Sequence, residues 1–200
     1  MLEGSHSDER IEGVDLEPGA TVRGAYFEGC VFLRCTFAEA VFNDCRFVDC
    51  RLESCDLRMV RFDQSVLANV TLVRCRCAGV DWTRARTMTL TLSFEDCQLD
   101  YSNFVGLKLA RTRFIESSMR EVDLRDTDLR QAVFKGSDLA RAIVQNADLS
   151  GTDFTDSRNC ALDAKHNRFR GTRVELETAH ALLSDLGVKV PSLDALLGVD

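Results

Sequence analysis

Nine cysteines, three histidines and 32 carboxylates are the chemistry-bearing side chains of this 200-residue chain. Clustered thiols hold metals or close disulfides, and a histidine beside a carboxylate can move protons. No C-x-x-C pair is present, and an odd number of cysteines suits a reducing compartment. Cys35, Cys55 and Cys75 are spaced by twenty. Three readings stand for them: a packed column of buried thiols, oxidation, or adventitious metal. His6, His166 and His180 are isolated, and no G-x-S-x-G, Walker loop, H-E-x-x-H or dinucleotide fingerprint occurs. The expectation is a chain that is not an enzyme, with no cofactor and no metal.

The elements that position these residues have a period of five. From Ala25 the chain reads AYFEG, CVFLR, CTFAE, AVFND, CRFVD, CRLES, CDLRM and onward to VDWTR. The third place holds Phe27, Phe32, Phe37, Phe42, Phe47, Leu52, Leu57, Phe62, Leu67, Leu72, Cys77 and Trp82. The first place is small or β-branched, and Cys30, Cys35, Cys45, Cys50, Cys55, Cys75 and Cys97 all fall there. A helix repeats its apolar residues at 3.6 and a half-buried strand at 2. Within each five the two apolar places are two apart, as on one face of an extended segment, and the chain must then turn. Repetition of such a unit is a solenoid whose coils bury their apolar side only against neighbours.

On these residues the chain resembles the pentapeptide-repeat proteins. The resemblance implies an all-β solenoid, a right-handed quadrilateral β-helix with four pentads per coil, and covers about Ala20 to Leu176. Residues 1–19 are expected to cap its first end, with VDLEP as one pentad and an extra residue at Gly19. Residues 20–174 form the β-helix. Its register breaks between Trp82 and Phe94, where two residues bulge or about seven leave the coil. Arg84, Arg86, Thr87, Met88, Thr89 and Leu90 are the protruding set, within an interruption near 84–93. It is either a binding loop or a tolerated surface loop. Beyond Phe154 the pattern decays: Asn159 and Ala164 stand where Leu or Phe is expected, and Asn159 needs partners if buried.

Residues 175–200 change period. Leu176, Ala179, Leu182, Leu183 and Leu186 share one helical face, Thr172 or a neighbour is the expected cap, and Gly187 is a natural stop. A last turn from Ser192 would carry Leu193, Leu196 and Leu197. This leucine either covers the last coil or joins two chains. The tail ELETAHALLSDLGVKV and the Trp82 pentad followed by an interruption and SFEDC resemble the topoisomerase-protecting branch of the family. That branch comprises quinolone-resistance and albicidin- and microcin-self-resistance proteins. The resemblance implies a cytoplasmic homodimer joined through its C-terminal helical dimerisation tail, with DNA gyrase or another type II topoisomerase as partner. It also implies DNA mimicry and relief from a topoisomerase poison. Some relatives carry two interrupting loops where this chain has one, and most end near Val190.

Charge bears on mimicry. The net charge is −7, with six acids against one base up to Gly19, eight against ten over 20–91, twelve against eight over 92–156 and six of each thereafter. Duplex DNA as long as the 92–156 segment would show about nine charges, so the imitation is local. Asp96, Glu116 and Asp156, interrupted by Gly136, form one column; Asp128 and Asp148, ended by Arg168, form another. These are the candidate topoisomerase contacts. Asp123, Asp128, Asp138, Asp148 and Asp153 fall in the second pentad place, where Asp also settles turns. Asp96, Glu116 and Asp156 fall in the last place, read as having no turn preference. The acidic balance disfavours direct nucleic-acid binding, although Arg46, Arg51, Arg61, Arg74 and Arg76 keep it as a minor reading. No apolar run reaches membrane-span length. A structural scaffold and an antibiotic-binding immunity protein, both without a topoisomerase partner, are the rivals.

Overall fold

The computed structural model describes residues 2–190. Only three or four residues of any pentad run extended, and each such piece pairs in parallel with the piece one coil away. Ser5–Ser7, Tyr26–Glu28, Arg46–Val48 and Val66–Ala68 stack on the first side. Arg10–Glu12, Val31–Leu33, Arg51–Glu53, Val70–Val73, Leu92–Glu95 and Arg113–Ile115 stack on the second. A third side is marked by bridges running from Asp15 through Thr36, Asp56, Arg76 and Gln98. The fourth begins with Thr21–Arg23 on Val41–Asn43 and continues to Arg61. The result is the right-handed quadrilateral β-helix.

Most corners are turned by the fifth residue of a pentad, Arg84 in its 3-10 turn being an exception. Arg34, Glu39, Asp44, Asp49, Ser54, Met59, Gln64, Asn69 and Arg74 hold φ between 51° and 59°. The last place therefore does have a turn preference, and Asp96, Glu116 and Asp156 share it at 52°, 49° and 59°. A left-handed residue costs roughly 1–2 kcal/mol when it is not glycine. The cost is offset by the ladder, because the amide so turned donates to the next coil, as Asp44 N–H does to Asp63 O at 2.9 Å.

Inside, the third-place side chains form continuous stacks. Phe94, Phe114, Phe134 and Phe154 lie nearly parallel with centroids 5.3, 4.8 and 4.8 Å apart. Phe42, Phe62, Trp82 and Phe104 repeat this on another side at 5.7, 5.8 and 5.9 Å. Offset stacking of this kind adds to what burial contributes. The segment before Ala20 is itself laid down as a coil. His6 takes a third place and stacks on Phe27 at 5.1 Å, while Ile11, Val14 and Leu16 pack against the core. The coil offset here is 21 rather than twenty, with the extra residue at the Gly19 corner, φ +79°.

The interruption is a heptad in place of one pentad. Arg86 N–H donates to Ser65 O and Thr91 N–H to Leu67 O, so residues 85–91 cover the 65–69 pentad with two residues to spare. The surplus is taken up by a 3-10 turn at Thr87–Thr89. Ala85 and Leu90 point into the core, at 5% and 8% exposure. Leu90 therefore does not protrude: it fills the apolar place the heptad would otherwise leave empty. Arg84 is no loop residue either, since it closes the Trp82 pentad and pairs with Asp63. Arg86, Thr87, Met88 and Thr89 are exposed, Met88 almost completely.

Asn159 does not face the core. It is exposed at φ 55°, and its amide donates to Asp138 Oδ1 at 2.7 Å. Asn167, at a first place, instead turns its amide to Val144 O and accepts from Ala147 N–H. The tail helix α1 spans Leu176–Asp185. Thr172 does not cap it. Glu175 stands at its N-cap without a side-chain bond to the helix, and its carboxylate accepts from Asp156 N–H at 2.8 Å. Gly187, φ +78°, ends it, with Gly187 N–H on Ser184 O and Val188 N–H on Leu183 O. Leu182 packs against the core, whereas Leu176, Leu183 and Leu186 are exposed. Ser192, Leu193, Leu196, Leu197 and the 191–200 extension lie outside the described residues.

Candidate partner-binding surface

The second-place aspartates are tied into their own coils. Asp123 accepts from Arg125 N–H and pairs with its guanidinium at 2.6 Å. Asp128 does the same with Arg130 at 2.7 Å. Asp148 accepts from Ser150 N–H and has Arg168 one coil away at 3.8 Å. An aspartate two residues before a backbone amide forms an Asx turn, and an arginine at that next place folds back onto the same carboxylate. These bonds hold Asp123 and Asp128 below the usual carboxylate range, chiefly through Arg125 and Arg130. Asp148 is lowered chiefly by its bond from Ser150.

The corner acids are different. Asp96 and Glu116 are exposed, occupy successive coils of one edge and make no ion pair among the described residues. Gly136 interrupts the column with a bare corner, and Asp156 beyond it lies 3.7 Å from Lys135. The two predicted columns do not combine. Asp96 and Glu116 stand where the second side meets the third, whereas Asp128 and Asp148 bridge on the first side, which does not reach that edge. Sequence reasoning placed Arg168 at the end of the Asp128 and Asp148 column but missed Arg125 and Arg130, which fold back onto Asp123 and Asp128. The D-x-R spacing at Asp123 and Asp128 was the signal that would have found them.

On the heptad, Arg86 reaches across two coils to Asp44 at 2.6 Å and to Gln64 O at 2.7 Å. That strap leaves Met88 as the exposed apolar tip. On the tail, Leu176, Leu183, Leu186 and Val188 expose an apolar stripe, while Ala179 is half-buried and Leu182 faces the last coil. An open groove of about 700 Å³ separates the helix from that coil, lined by Ser157, Asn159, Cys160, Glu175, Thr178 and Ala181. All nine cysteines are unpaired, and eight are buried. Among the described residues no three metal-ligating side chains converge, and no helix is long and apolar enough to cross a membrane.

Comparison with known proteins places this architecture. The fold is similar to QnrB1, "a plasmid-mediated fluoroquinolone resistance protein", at a TM-score of 0.68 and 20% identity, covering 96% of this chain and 100% of that one. It is also similar to HetL from the cyanobacterium Nostoc, involved in heterocyst differentiation regulation, at 0.52 and 14%, covering 86% and 88%. No curated protein matches in sequence. A family model described as "Pentapeptide repeat region" matches residues 25–104, and one described as "Pentapeptide repeats (8 copies)" matches residues 93–131 and 117–156. With a five-residue register stacked into four-sided coils along its length, the chain belongs to the pentapeptide-repeat family.

Proposed function

We propose that this protein is a binding protein, not a catalyst, that engages the DNA-binding surface of a type II topoisomerase such as DNA gyrase and relieves it from a poison. The observation that carries the reading is the pair Asp96 and Glu116: stacked, exposed carboxylates without ion-pair partners among the described residues. A surface built to receive phosphates is recognised by charge left free, and the acids already matched to Arg125 and Arg130 offer little of it. The likeness to a fluoroquinolone resistance protein agrees with this reading. In it, Asp156, Asp128 and Asp148 are secondary contacts, and the heptad with Arg86 and Met88 tunes the encounter. The exposed leucines of α1 join two copies end to end, with Leu176, Leu183 and Leu186 meeting their counterparts. The reduced thiols suit a cytoplasmic location.

A gyrase supercoiling assay with albicidin-like, peptide and quinolone poisons tests it. Added protein is expected to restore supercoiling, less so as salt rises, and Glu116→Gln to weaken that rescue more than Asp128→Asn. Unchanged activity and unchanged inhibition would overturn the reading. A scaffold without a topoisomerase partner is favoured by the match to HetL, and a pull-down lacking topoisomerase subunits would support it. An antibiotic-binding immunity role would use the groove beneath α1, and drug titration against the isolated protein decides it.

A further inference from the structure

We propose that the stacked thiols of the first coils form in-line, two-coordinate sites for soft metal ions, one ion between two successive rungs. Cys35, Cys55, Cys75 and Cys97 occupy one column, because Asp56, Arg76 and Gln98 N–H each donate to the preceding rung's cysteine carbonyl at 2.9, 3.0 and 2.9 Å. Each thiol points the same way. Cys55, Cys75 and Cys97 Sγ lie 3.6, 3.4 and 3.4 Å from Phe32, Leu52 and Leu72 O, and Cys35 N–H donates to Cys55 Sγ at 3.4 Å. Cys30 and Cys50 repeat the arrangement on the neighbouring corner, with Arg51 N–H on Cys30 O and the two sulfurs 3.5 and 3.4 Å from His6 and Phe27 O.

Equal orientation on every rung makes the sulfur spacing equal to the coil rise, about 4.7–4.9 Å for paired strands. Stacked Cβ atoms at that rise stand wider than the roughly 3.5–4.5 Å a disulfide needs. A metal–thiolate bond of about 2.3 Å, taken twice in line, spans about 4.6 Å, which matches the column. Tetrahedral zinc would need four converging ligands, and none of the described clusters reaches three. A linear, soft, divalent ion needs two. Binding breaks two S–H bonds, forms two S–metal bonds and releases two protons to solvent, with no change of oxidation state. The product is neutral, which is what a core at 0–2% exposure admits. Cys45 sits over Ser65 and has no thiol to share an ion with. Entry requires local opening of a coil, the ordinary breathing of a solenoid.

The test is native mass spectrometry of the full chain carrying Cys160→Ala, which removes the one thiol outside the core, after prolonged incubation with mercuric chloride. Pairs 35/55, 75/97 and 30/50 predict uptake of three ions, each displacing two protons. Cys55→Ser should lose one ion and Cys45→Ser none. Both changes place a serine where the repeat already buries Ser65, Ser117 and Ser137, so the coils should survive them. X-ray absorption should report two sulfurs per ion. Displacement of a single proton per ion, equal uptake by the Cys55→Ser variant, or uptake only by urea-unfolded chain would each overturn the proposal.

Discussion

Coils before Thr91 and coils after it solve the same turn with different side chains. Half of the early small places, from Ala25 to Val80, are cysteine, whose thiols sit 3.3–3.6 Å from carbonyl oxygens. The later ones bring in serine and threonine: Ser102, Ser137 and Thr152 hydroxyls donate to carbonyls one coil back at 3.0, 3.0 and 2.7 Å. The second place changes too. Val31, Val41, Arg51, Val66 and Thr71 lie in strands, whereas Asp123, Asp128, Asp148 and Asp153 lie at single bridges. Where the aspartate grips the amide two residues on, the third-place carbonyl accepts the next pentad's first amide, as Leu129 O does from Ala132 N–H at 2.9 Å. The chain then turns tightly instead of running extended. The same turn also forms without an aspartate, as Phe37 O accepts from Ala40 N–H and Phe134 O from Ser137 N–H, both at 3.1 Å, so the difference teaches that the buried places fix the four-sided coil and that its sides accept either strand or turn.

Core changes should break both regions most. Phe47→Ala removes a ring in contact with Phe27, Phe32, Phe42 and Phe62, and Phe134→Ala one stacked between Phe114 and Phe154. Each is expected to cost about 3–5 kcal/mol in urea denaturation, with Phe47 the larger. A negligible loss at either would mean that the stacks do not hold the coils.

The small places should differ next. Ser137 Oγ donates to Phe114 O and accepts from Ser117 N–H, both at 3.0 Å. Ser137→Ala should cost about 1–3 kcal/mol by stranding those buried groups. Cys45→Ala, which loses only a weak thiol donor, should cost less in the same assay.

Acid should then separate the regions. Bonds from Arg125 and Arg130 lower the folded-state pKa values of Asp123 and Asp128. Their contribution is complete above the unfolded value near 3.9 and is lost as pH falls through the folded values. Amide exchange below about pH 4 should therefore rise around residues 123–130 before residues 26–48, where second places carry no aspartate. Asp128→Asn should remove most of this acid sensitivity at its own turn. Smallest of all should be Met88→Ala, within about 0.5 kcal/mol, because its side chain is 98% exposed.

On the tail, Leu183→Glu changes an exposed residue and Leu182→Glu one that packs on the last coil. Light scattering should report a monomer with an intact fold for the first. For the second it should report a loosened tail. Unchanged mass for Leu183→Glu would sink the proposed dimer joint.

The sequence alone determined the register: period five assigned Phe27 through Trp82 and Phe94 through Phe154 to the interior, while the four-pentad coil that puts columns twenty apart on shared faces was implied by the family resemblance. It did so because only two places per pentad are buried, and burial is what hydrophobic pattern records. Corner conformation was not legible, because Arg34, Met59 and Gln64 give no glycine signal for a left-handed backbone that the coil-to-coil ladder enforces. Nor was the direction of Leu90 or Asn159, since each depends on what the adjacent coil leaves empty. The candidate site divides the same way. Asp96, Glu116, Asp128 and Asp148 were visible as columns, but which of them keeps its charge free depends on guanidinium groups folded back along or across coils. Those contacts are made in three dimensions by long side chains, and one-dimensional spacing constrains them only weakly.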